Sequence, residues 1–155
     1  MMALCGLAVA SVIAVVIFVS LYWGLGSADY LSKKQIISLV NENEGLLTSF
    51  VEGSRDTDNP LYESILEIKG LKKVAFEHDG IDFDCGGKGF GPNTSYYGFY
   101  YSENLYNYNG PKWCSPAFYE LTQEGKGWMW RQEVGDNRYY TEHIVGDFYY
   151  YEAHF

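Results

Sequence analysis

Hydrophobic and polar positions follow three rhythms along this chain. From Ala3 to Leu25 the run is continuously apolar, and its only clearly polar side chains are Ser11, Ser20 and the Tyr22 hydroxyl. At about 1.5 Å per residue this run reaches roughly 34 Å, enough to cross a hydrocarbon core of about 30 Å. It predicts a transmembrane helix within residues 1–28. Beyond the leader, apolar residues recur at helical spacing as Ile36, Leu39/Val40, Leu46/Leu47 and Phe50/Val51. Ser32-Lys33-Lys34-Gln35 has the form of a capping box, and Gly53 is a natural stop. Together they predict a helix over about 32–52 with one buried stripe. After a polar loop, Asn59-Pro60 reads as a cap with proline at the first helical position, followed by a short amphipathic segment through Leu61, Ile65 and Ile68.

From Leu71 onward the period falls to two. Val74 and Phe76 alternate with Lys73 and Ala75, and Ile81, Phe83 and Cys85 alternate with Asp82 and Asp84. The Asp79-Gly80 pair between these runs predicts a hairpin. A glycine-rich stretch, Gly86 to Asn93, is expected to be an irregular connection with at least one positive φ angle, leading to a strand near 94–101. Residues 102–116 read as a long excursion, and later strands are expected at 128–133, 139–145 and 148–153. Helices first and strands afterwards give an α+β class: one or two helices packed on an antiparallel meander of about five or six strands.

Charge sharpens the division. Residues 1–28 contain no charged side chain, so all the Lys, Arg, Asp and Glu lie in residues 29–155. The expected organisation is therefore a membrane anchor over 1–28 and one domain over 29–155. A cleaved signal peptide competes with the anchor, because Gly26-Ser27-Ala28 offers small residues before Asp29. A signal peptide normally has a basic start and a shorter apolar region, however, and neither is present. Lys33 and Lys34 flank the run on its C-terminal side, which by the positive-inside rule would hold the domain in the cytoplasm. The layout of a leader before a whole acidic, aromatic domain with two cysteines favours an extracytoplasmic placement. Cys85 and Cys114 are then disulfide candidates.

A net charge of −9 argues against nucleic acid as a partner, since phosphates require a basic surface. No Cys/His spacing suggests zinc, and no cofactor motif is complete. Gly87-Lys88 is followed by Gly89 where a phosphate-binding loop needs Ser or Thr, and Pro92 stands where a dinucleotide fingerprint needs its third glycine. The acid–base candidates are Asp82, Asp84, Glu142, His143, Glu152 and His154, with Asp82 and Asp84 sharing a strand face. That pattern is expected to serve mainly for solvation of an outer face, and no catalytic signature accompanies it. Aromatic residues are concentrated late, at 20 of the 66 positions from Phe90 onward. Tyrosine suits half-exposed sheet surfaces, so most of these rings are expected to be structural. The exception is a candidate recognition surface of Phe90, Tyr96 and Tyr97 beside the glycine-rich stretch.

The phrases GGKGFGPNTSYYGFYYS, GWMW, GDNRYYTEHI and DFYYYEAHF together resemble a group of small single-pass proteins of Firmicute-type bacteria that carries no assigned function. The resemblance covers most of the chain from Ile68 onward and implies attachment to a bacterial membrane. The resulting expectation is a non-enzymatic, membrane-tethered domain at the cell surface with a protein or glycan partner. The alternative is a small envelope hydrolase using strand carboxylates.

Overall fold

The computed structural model describes residues 30–103 and 110–155. The apolar leader lies outside the described residues. Among the described residues, no helix is long and apolar enough to cross a membrane. Among the described residues three α-helices precede the strands: α1 (Lys33–Glu42), α2 (Glu44–Val51) and α3 (Tyr62–Leu66). Seven strands follow: β1 (Lys73–Glu77), β2 (Gly80–Phe90), β3 (Asn93–Tyr101), β4 (Thr122–Glu124), β5 (Gly127–Arg131), β6 (Arg138–Val145) and β7 (Phe148–His154). They form one antiparallel sheet in the order β1-β2-β3-β7-β6-β5-β4. The class is the α+β expected, but the sheet is not one meander. Two meanders meet where the last strand returns to lie beside β3.

The single helix expected over 32–52 is broken at Asn43. Its backbone leaves helical geometry at φ −112°, ψ 14°, and its side-chain amide donates to the Leu39 carbonyl at 2.8 Å. Asparagine competes for backbone groups in this way, so it interrupts a pattern whose apolar spacing continues through it. The start is closer to expectation, with the Gln35 side chain accepting from the Ser32 backbone N–H at 3.0 Å. Asn59 is a buried bracket: its amide donates to the Phe50 and Ser54 carbonyls, and its oxygen accepts from the Leu61 N–H.

The helices cover one sheet face. Phe83 and Phe99, opposed across β2 and β3, stack with ring centroids 4.5 Å apart. Phe50 from α2 meets the Phe83 edge at 6.2 Å, and Phe148 from β7 closes the cluster. Lys33 of α1 donates to Glu142 of β6, which ties the first helix across the far half of the sheet.

The other face is also buried. Tyr100, Tyr139, Tyr151 and Ala153 form a second core, and Cys114 of the segment preceding β4 packs on it. Tyr100 stacks on Tyr149 at 5.3 Å, and its hydroxyl shares a 2.8 Å hydrogen bond with Thr141. A sheet enclosed on both sides explains why rings point both ways from β3, β6 and β7.

Candidate functional site

On this second face, β1 and β2 place three carboxylates together. Side chains alternate along a strand, so Asp82 and Asp84 project to the same side as Lys73, Ala75 and Glu77 across the β1–β2 pairing. Ala75 lies opposite Asp82, and Lys73 lies opposite Asp84. With Tyr96 of β3 and Trp113 they line a cleft of about 340 Å³. Trp113 is held by the Pro111 turn, whose carbonyl accepts from the N–H groups of Cys114 and Ser115. Its ring meets Tyr96 edge-on at 4.8 Å and remains half exposed at the mouth.

Asp82 is the floor of this cleft. It is only 3% exposed, and its Oδ1 has no hydrogen-bond partner among the described residues. Burial pushes its carboxyl up to about 7, and the neighbouring Asp84 pushes it the same way. Hydrogen bonding from Trp113 and Tyr151 pulls the carboxyl in the opposite direction, although neither reaches Oδ1 at ordinary hydrogen-bond geometry and the Tyr151 hydroxyl is also left without a partner there. Asp84 is half-buried and positioned differently, with one oxygen accepting from the Gly86 N–H at 2.8 Å. Two carboxylates on one strand are thereby given different environments.

The room for Tyr151 comes from Gly98, which stands opposite it in register. A Cβ at Gly98 would lie 2.5 Å from the Phe83 carbonyl oxygen and 2.6 Å from the Tyr151 ring. Any larger residue there would push the ring off the sheet.

The carboxylates expected to solvate an outer face therefore include one that is buried. The other acid–base candidates do not join them. Glu142 is paired with Lys33 and Tyr140 on the helix side. Glu152 lies diagonal to it rather than opposite, since Tyr140 is the partner of Glu152 and Tyr150 that of Glu142. His143 bonds the Gly146 carbonyl, whereas His154 shares a 2.9 Å hydrogen bond with Ser95 at the other end of the sheet. Among the described residues, no group of His, Cys, Asp and Glu is arranged to hold a metal ion.

Phe90, Tyr96 and Tyr97 are separated. Phe90 is 90% exposed at the end of β2, Tyr96 lines the cleft, and Tyr97 points to the opposite face, where it is buried. Tyr30 stacks on Tyr97 at 4.9 Å, and Lys88 lies over both rings. The glycine-rich stretch is not an irregular connection either. β2 runs through it to Phe90, interrupted by a bulge between Asp84 and Gly87. Positive φ angles do occur, and Gly91 at φ 59° supplies the one required at the first position of the tight β2–β3 turn. Alanine at Tyr97 is expected to cost about 3 kcal/mol or more in denaturant unfolding. At half-buried Tyr96 the loss should be clearly smaller. Equal losses would contradict this division of the two rings.

Cys85 and Cys114 are free thiols, so the bridge envisaged for an exported domain is not present. Cys85 packs in the helix-side core and Cys114 in the tyrosine core on the opposite face. Burial pushes both thiols up, and the Asp82 and Asp84 carboxylates add to it.

Trp113 and Tyr151 were not singled out by sequence pattern. Trp113 falls in the excursion, which has no periodicity, and Tyr151 is one of three consecutive tyrosines. No family model matches the chain, and no curated protein or solved structure matches it.

Proposed function

We propose that this chain is a membrane-tethered, non-enzymatic binding domain at the bacterial cell surface, with the Asp82 cleft as its ligand seat. The observation that carries the reading is Asp82, a buried carboxylate with its Oδ1 unpartnered, lining a cleft walled by Tyr96 and half-exposed Trp113. An unsatisfied buried carboxylate oxygen costs stability, and such groups concentrate where a ligand completes them. The continuous apolar run from Ala3 to Leu25 supports the tether. The leader would join the domain at the β2–β3 side, because Leu31 donates to the Cys85 carbonyl and Tyr30 stacks on Tyr97.

A hydrolase acting on envelope glycan is the second reading. It is favoured by one observation: Asp82, raised to about 7, sits two residues from Asp84 on one strand face. That spacing is roughly 7 Å along a strand, within the range of acid and base pairs in inverting glycosidases.

Sedimentation of the full-length protein with purified cell-wall sacculi separates the two readings. Binding is expected to place the protein in the pellet without releasing soluble sugar, and Trp113→Ala combined with Asp82→Asn should return it to the supernatant while it remains folded. Retention unchanged by that double substitution would contradict the cleft as the seat. Release of reducing sugar that is lost in Asp82→Asn would replace binding by hydrolysis.

A further inference from the structure

The chemistry lining the cleft defines its ligand more narrowly than a cell-surface component. Three carboxylates, Glu77, Asp82 and Asp84, face one lysine, Lys73, which lies across from Asp84. The seat is therefore negative, and most so on the side of Glu77 and Asp82. Trp113 and Tyr96 add aromatic walls, whose ring faces attract cations. The Asp82 carboxylate at the floor, whose Oδ1 is unpartnered, has acceptor capacity left for a hydrogen-bond donor. The carboxylates lack the arrangement a metal ion requires, as noted for the described residues.

We infer that the cleft takes a primary organic ammonium group, such as the amine of an amino sugar or a diamino acid, which donates to the Asp82 carboxylate against the Trp113 and Tyr96 rings. This rests on the cleft being the ligand seat and specifies what occupies it. An ammonium carries the charge that three carboxylates favour and the N–H that the orphaned oxygen lacks. A quaternary ammonium carries only the charge. A neutral sugar hydroxyl supplies only the donor.

Binding of this kind is coupled to protonation. The cation favours ionised Asp82, so affinity rises with pH through the Asp82 titration. The groups facing Asp82 are Lys73 and Glu77 from β1, Asp84 from β2, Tyr96 and the directly opposed Tyr100 from β3, Tyr151 from β7, and Trp113 and Cys114 from the covering segment. Burial and the adjacent carboxylates push the Cys114 and Tyr151 protons to higher pH. Asp82, by contrast, is pushed up by burial only to about 7.

The test is NMR of the full chain in detergent micelles, following the Asp82 carboxyl and the Trp113 indole during titration with butylammonium chloride. Tetramethylammonium chloride, potassium chloride and N-acetylglucosamine serve as comparisons. Butylammonium is expected to shift both signals and to bind about tenfold more tightly at pH 8 than at pH 6, as expected for one titrating carboxylate. It should bind at least about tenfold more tightly than tetramethylammonium, which has no N–H to donate to the carboxylate. Asp82→Asn should lose the pH dependence. Shifts with N-acetylglucosamine but not butylammonium would overturn the ammonium assignment and keep the cleft as a seat. Shifts with neither would overturn both.

Discussion

Asp82→Asn is expected to unfold at higher denaturant than the wild-type protein at pH 8, with the difference disappearing toward pH 4. In the unfolded chain this carboxyl titrates near 3.9, whereas in the folded protein burial and Asp84 raise it to about 7. Between those values the folded state holds a proton that the unfolded state has released, so wild-type stability falls as pH rises. The loss is complete above pH 7 and amounts to at most about 4 kcal/mol at 1.36 kcal/mol per pH unit. Asparagine keeps the shape of the side chain and never ionises, so its stability should be flatter across that window. Urea midpoints of both proteins at pH 4, 6 and 8 check this. Parallel profiles would mean that Asp82 ionises freely and is not the buried floor of a cleft.

Phe83→Ala is the substitution expected to harm the fold most. Phe83 is fully buried, stacked on Phe99 and met by Phe50 and Phe148, so it joins three strands to the second helix. Removing such a ring typically costs about 3–5 kcal/mol, a large part of the roughly 5–15 kcal/mol that holds a domain together. Phe90→Ala, which truncates a ring that is 90% exposed, should change the denaturation midpoint very little. A small loss at Phe83 would show that this aromatic stack is not the centre of the core.

Much of this architecture was legible locally. The helical stripe from Ile36 to Val51, the Asp79-Gly80 turn and the period of two on either side of it all depend on neighbours in sequence, and each appears nearly where the pattern placed it. The break at Asn43 was hidden because a side-chain hydrogen bond to Leu39 overrides apolar spacing that is otherwise intact. The stretch from Gly86 to Gly91 reads as a loop by composition, yet bonding to β3 carries an extended strand through it. The pairing of β3 with β7 joins residues about fifty apart, and no local pattern encodes it.

The site was legible in part for the same reason. That Asp82 and Asp84 share a face follows from strand alternation alone. That the face is covered does not, because Trp113 and Cys114 come from a segment without periodicity and reach it only through the tertiary fold. One signal was available. Tyrosines on both faces of β7, beside a glycine at position 98 of the adjacent strand, are the mark of a sheet enclosed on both sides rather than one with a wet outer face. On such a sheet, a polar alternation like Ile81-Asp82-Phe83-Asp84 points to a buried acid rather than to solvation.

The most direct measurement is the titration of the Asp82 carboxyl itself, followed by carbon NMR in the ligand-free, full-length protein. A midpoint of about 7 is expected. A midpoint at or below about 4, the ordinary value of a solvated aspartate, would contradict the cleft, its unsatisfied floor and the binding role built on them.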